Sequence, residues 1–97
     1  NATPSDNFPK AQALKDATMA HFILKNLPEK GVFLHYHGTY HSNNFEGIYW
    51  YLKRKKNTLH ILTIASVEQA DIQQLAEENK NLANFVLVIP TTMTKTY

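Results

Sequence analysis

Hydrophobic and polar positions recur with two different periods along this chain. Between Pro9 and Leu27, the residues Ala13, Ala17, Ala20, Leu24 and Leu27 fall on one helical stripe, and Leu14, Met19 and Ile23 widen it. Pro9 suits the first helical turn and Pro28 stops the helix. In "GVFLHYHG" (31–38) the period drops to two: Val32, Leu34 and Tyr36 alternate with Phe33, His35 and His37, which predicts a strand with Tyr36 in the core. Asn43 followed by Glu46 has the spacing of a capping box and predicts a helix to about Lys55, with Phe45, Ile48, Tyr49 and Leu52 inward. "TLHILTIA" (58–65) predicts a second strand, apolar on both faces apart from His60. Ser66 and Gln69 repeat the capping pattern ahead of a third helix burying Ile72, Leu75 and Ala76, and "NFVLVIP" (84–90) predicts a third strand ended by Pro90.

The order α-β-α-β-α-β implies an α/β fold of three layers around a small parallel sheet, joined by right-handed crossovers. Residues 1–8 read as a polar lead-in and 9–97 as a single α/β domain. Three parallel strands make a thin sheet, and parallel sheets need both faces covered. Three helices are few for that task. The expectation is half of a larger sheet, or a chain that completes itself by self-association as a homodimer, because edge strands left open invite pairing.

Composition narrows the chemistry. With no cysteine, disulfides, thiolate zinc sites, iron–sulfur clusters and thiol nucleophiles are excluded. A formal charge of +2 is too small to argue for nucleic acid, and the basic run "KRKK" (53–56) falls where a helix end would welcome it. No apolar run approaches the ~20 residues of a membrane span. Neither a Gly-rich phosphate loop nor a G-x-S-x-G nucleophile motif is present.

What stands out is "FLHYHGTYHS" (33–42), which holds three of the five histidines. In an open parallel sheet, ligands bind beyond the carboxyl ends of strands, so the loop after Gly38 is the expected ligand side. Gly38 is expected to permit a tight turn, placing His41 just ahead of a helix N-terminus. His35 and His37 share one strand face, where an H-x-H pair either packs or converges on a metal ion. Tyr40 is a candidate anionic iron ligand. "IYWY" (48–51) either packs or lines a flat cofactor, while His21 and His60 read as structural. Glu46, as the third residue of its helix, has a capping role first and an acid–base role second. The set holds no complete catalytic constellation; a metal enzyme needs a further ligand and a general base.

"AQALKDATMAHFI" followed by "VFLHYHGTYHSNNFEGIYWYL" resembles the C-terminal half of the ChaN-like haem-binding uptake proteins in the Tiki superfamily. The resemblance rests on a D-x-x-M-A pattern (Asp16, Met19, Ala20) and a G-x-x-H motif (Gly38 to His41). Gly47, six residues after the histidine, and "NFVLVIP" as a closing strand complete it. It implies an α/β fold and a haem- or iron-binding module of an iron-regulated envelope protein, in the outer membrane or periplasm. It also implies membrane attachment only through a lipid anchor outside this chain, and haem binding helped by dimerisation. Haem would be held by His41, with Tyr40, Gly38 and His37 beside it. The wider superfamily includes metal-dependent hydrolases, so the alternative is half of such a site, with a divalent metal on His41, His37 and His35. The chain departs from the family pattern where a first histidine motif and its acidic partners would stand. It also has Asn43 where a basic residue often follows the motif. The expected function is therefore a binding module, not an enzyme.

Overall fold

A computed structural model describes residues 7–95. Helix α1 spans Asn7–Asn26, two residues earlier than Pro9 and ending one residue before Leu27. Its buried side chains are Asp16, Ala20 and Ile23. Helix α2 spans Ile48–Lys55 and buries Ile48 and Leu52. These two helices pack on each other: Ala20, Ile23, Ile48 and Leu52 form the core, flanked by Met19, Leu24, Leu27, Tyr51, Leu59 and Ile61. Alanine at the contact lets the helix backbones approach, so the isoleucines and Leu52 fill the remaining space.

The sheet is α/β in kind but smaller than expected. Strands β1 (Ile64–Gln69) and β2 (Phe85–Pro90) pair in parallel with Ile64 opposite Phe85 and Gln69 opposite Pro90, and they form a two-stranded sheet. Asn84 fixes where the pairing starts. Its Oδ1 accepts from Thr63 N–H at 2.9 Å, while its own N–H donates to Thr63 Oγ1 at 3.1 Å. Ala65 is buried, whereas Ile64, Phe85 and Leu87 lie on an exposed face. Single residues alternate in and out, as a strand covered on one side requires.

Three expected elements differ. Residues 32–38 form no regular element and are unpaired: Val32 is 90% exposed and Tyr36 85% exposed, so Tyr36 is surface, not core. The alternating pattern favours extended backbone, but a strand also needs a neighbour, and among the described residues none pairs with it. The second strand begins at Ile64, not at Thr58, and runs on through Ser66 and Gln69, which are β residues and not a helix cap. The third helix is replaced by turns and a 3-10 turn at Glu77–Asn79, leaving Ile72 exposed. The cause is local. Gln69 donates from Nε2 to the carbonyls of Asp71 (2.8 Å) and Gln74 (2.9 Å), and its Oε1 accepts from Ala76 N–H and Asn79 Nδ2 (2.9 Å each). One amide thus holds the loop in a non-helical path, a competition with helix that polar side chains near the backbone commonly win.

The order is accordingly α-α-β-β among the described regular elements, with 3-10 turns between. No described helix is long and apolar enough to cross a membrane.

Candidate functional site

The loop from Gly38 to Gly47 lies against the buried face of α1 and is built from tight turns. Thr39–His41 forms a 3-10 turn in which His41 N–H donates to the Gly38 carbonyl at 3.0 Å. Asn43–Phe45 forms a second, and Asn44 N–H reaches across to the Leu82 carbonyl at 2.9 Å. Asn44 and Phe45 both have φ of 61°, so the expected Asn43–Glu46 capping box does not form. Such left-handed residues are uncommon outside glycine, and two in succession turn the chain sharply into α2.

Gly47 caps α2 at φ 56°, ψ −123°. A Cβ built there would lie 2.3 Å from the His41 carbonyl oxygen and 3.0 Å from Asp16 Oδ2. The expected role of Gly38 passes to this residue. Gly38 has φ −69°, ψ 153°, which any residue adopts, and a Cβ there would make an ordinary 3.7 Å contact with the His41 ring. The glycine the loop requires is the one that presses against His41 and Asp16.

Asp16 is 4% exposed, the buried charged residue of the core. Its Oδ1 lies 2.5 Å from His41 Nδ1, and the His41 side chain is 22% exposed. A carboxylate only accepts, so Nδ1 carries the hydrogen and a neutral ring keeps its lone pair on Nε2. Gln12, one turn before Asp16 on α1, places Nε2 2.9 Å from the same Nδ1 and donates to the Tyr40 carbonyl at 3.2 Å. Because the ring hydrogen is committed to Asp16, the carbonyl is the acceptor that Gln12 serves. Nε2 of His41 has no protein partner among the described residues. A buried carboxylate fixing one ring nitrogen while the other stays open is how proteins orient a histidine toward a metal.

His35 and His37 form a separate chain. Their Nδ1 atoms are 2.9 Å apart, and His37 Nε2 is 2.7 Å from Ser42 Oγ. Both His37 nitrogens are therefore engaged, and the pair faces itself and not a common point. Among the described residues no group of three His, Asp or Glu side chains can hold a metal ion. The His37 ring stands edge-on to His41, with centroids 6.5 Å apart. Desolvation by its surroundings, then the neighbouring His35 and His41, push the His37 pKa below the ordinary histidine value, against the opposing pull of Asp16.

Tyr40 is 88% exposed beside the site. His60 is exposed and outside the strands, His21 is exposed against Phe22 on α1, and Glu46 is exposed; none joins the cluster. Trp50 of "IYWY" is surface, with the Arg54 guanidinium 5.0 Å from its ring centre.

Asp16 and Gln12 are the site residues that pattern reading passed over as participants. The signal was present: Asp16 lies three residues after Ala13 and four before Ala20, in the middle of the inward stripe, where an unpartnered carboxylate would be costly.

The sequence matches the family described as haem-binding uptake, Tiki superfamily, ChaN, over residues 1–52. That stretch exceeds half of the 97-residue chain and contains Gln12, Asp16, the histidine loop and Gly47, while β1 and β2 lie beyond it. No curated protein and no solved structure shows significant similarity to the chain.

Proposed function

We propose that this chain, which belongs to the haem-binding uptake family ChaN of the Tiki superfamily, binds haem and ligates its iron through Nε2 of His41. The observation that carries the reading is the Asp16–His41 pair. Asp16 takes the Nδ1 hydrogen at 2.5 Å, which sets the tautomer that leaves Nε2 as the lone-pair nitrogen. Hydrogen bonding of Nδ1 to a carboxylate also makes the ring a stronger donor. The donor set thus fits a haem iron, which takes a single protein imidazole and needs no cluster of ligands. Haem held there would supply an iron centre whose potential His41 and its partner Asp16 would tune.

The remaining residues serve this nitrogen. Gln12 ties the Tyr40 carbonyl to α1, and the Gly47 backbone packs on the His41 carbonyl, so the loop cannot withdraw the ring. Val32, Leu34, Tyr36 and Tyr40, in the segment leading to His41, are exposed, and apolar and aromatic side chains of this kind suit a porphyrin face. Gly38 and His37 belong to the same loop, Gly38 through its carbonyl bond to His41 and His37 through its edge-on contact.

The setting we propose is iron or haem uptake in a bacterial envelope, with a lipid anchor outside this chain and a homodimer as the binding form; the uptake named in the family description supports it. Haem titration followed at the Soret band tests the binding. A saturable red-shifted band in the wild type that His41→Ala weakens at least tenfold in affinity is expected, on the ~10–100-fold scale of ligand-shell losses. An unchanged spectrum and affinity in His41→Ala overturns the assignment.

A further inference from the structure

Ser42 is next in sequence to His41, yet its side chain belongs to a different network. Its Oγ is 2.7 Å from Nε2 of His37, and Nδ1 of His37 is 2.9 Å from Nδ1 of His35. We propose that Ser42, His37 and His35 form a nucleophile, a general base and a positioning residue, and that this series transfers acyl groups from small carboxylic esters to water. The haem reading uses the edge of the His37 ring but none of these bonds: His41 is held at Nδ1 by Asp16, and the two networks share no side-chain atom.

The bonding is consistent with one set of neutral tautomers. If the Ser42 hydroxyl donates to His37 Nε2, that nitrogen holds the lone pair and the His37 hydrogen sits on Nδ1. It then donates to His35 Nδ1, and His35 carries its own hydrogen on Nε2. This is the arrangement an activated serine needs: a base within hydrogen-bond reach, turned toward the hydroxyl by a third group. His37 keeps an exposed edge although its surroundings desolvate part of the ring, so water can still reach it and the bonded chain follows from the geometry of the segment. Ser42 itself is half-buried, and a small ester with a good leaving group asks the least of such a site.

In the first step Ser42 Oγ bonds to the ester carbonyl carbon while His37 Nε2 takes the hydroxyl proton. The carbon–alkoxy bond then breaks, the departing oxygen takes that proton, and an alcohol leaves behind acyl-Ser42. Water, giving a proton to the same nitrogen, attacks the acyl carbon. The carbon–Oγ bond breaks, Oγ recovers the proton, and a carboxylic acid departs.

The test uses the full chain and a fluorophosphonate probe, which bonds covalently to activated serines, followed by intact mass and peptide mapping. One equivalent of label on the peptide holding Ser42 is expected, together with a burst of nitrophenol from p-nitrophenyl acetate. His37→Gln is expected to slow labelling by about 100-fold, the scale of general-base assistance. His35→Leu should slow it, and His35→Gln, whose carbonyl accepts the Nδ1 hydrogen, should restore it; a purely structural role for His35 would not be rescued this way. Circular dichroism of each variant separates lost chemistry from lost fold, and mapping on the wild type needs no variant. Absence of label, label on another residue, or an unchanged rate in folded His37→Gln overturns the proposal.

Discussion

Asp16 Oδ1 lies 2.5 Å from Nδ1 of His41, joining the buried face of α1 to the loop that follows the unpaired histidine segment. The carboxylate sits in the core of a helix pair, where an unpaired charge would be strongly unfavourable. The site histidine is therefore also a structural partner. His41→Ala should lower stability by roughly 1.5–3 kcal/mol, the range for a hydrogen bond to a charged group. Chemical denaturation of the variant measures it, and a change near zero would show that the pair does not persist in solution.

Gly47 makes a sharper prediction. With φ at 56° and a Cβ that would meet the His41 carbonyl at 2.3 Å, Gly47→Ala must move backbone and not a flexible side-chain end. A loss of roughly 2–4 kcal/mol is expected from strain and displacement together. Gly38→Ala, with ordinary backbone angles and only a 3.7 Å contact to the His41 ring, should cost little. Equal losses at the two glycines in thermal unfolding would contradict this account of the loop.

Much of the helical half was legible from pattern alone. The stripe through Ala20 and Leu24 marked the inward face of α1, and Ile48 and Leu52 marked that of α2, because helix packing follows local period closely. The strand half was less so. Val32 to His37 has the alternation of a strand, but pairing depends on a neighbour that local pattern does not contain. Ser66 and Gln69 have the spacing of a cap, and the four bonds of the Gln69 amide turn that segment into strand and loop instead. At the site, the G-x-x-H motif singled out His41 as a candidate. Asp16 was marked by its place in the inward stripe of α1 and by the family pattern, but its pairing with His41 was not, since a contact across 25 positions leaves no local trace.

The Gln69 hub is testable by itself. Gln69→Ala removes four hydrogen bonds that hold residues 71–79, while leaving the helix pair untouched. Amide exchange should quicken across this loop and remain slow in α1. Uniform quickening over the whole chain would show instead that the hub supports the global fold.

Acid should weaken the protein through His37. Its folded pKa lies below the ordinary value, so the unfolded chain binds the proton first as pH falls. The unfolded state then holds more protons than the native state, and stability declines from about pH 6.5 downward until His37 protonates in the folded chain as well. His37→Gln should flatten the fall in Tm over that window. A wild-type Tm that rises on acidification there would reverse the assigned sign.

The redox consequence of the Asp16 bond can be measured separately from affinity. A carboxylate partner makes the imidazole more electron-rich and favours ferric iron, so Asp16→Asn should raise the haem reduction potential. It should also weaken haem binding by up to about tenfold, at the mild end of outer-shell effects. A potential unchanged in a variant that binds haem fully would show that Asp16 does not act through the iron ligand.

The most direct measurement is the resonance Raman spectrum of the ferrous haem complex, which reports the iron–imidazole bond itself. An iron–histidine stretch in the wild type, shifted to lower frequency in Asp16→Asn and absent in His41→Ala, is the predicted result. A haem complex that forms normally but lacks that stretch, or keeps it in His41→Ala, would contradict ligation by His41.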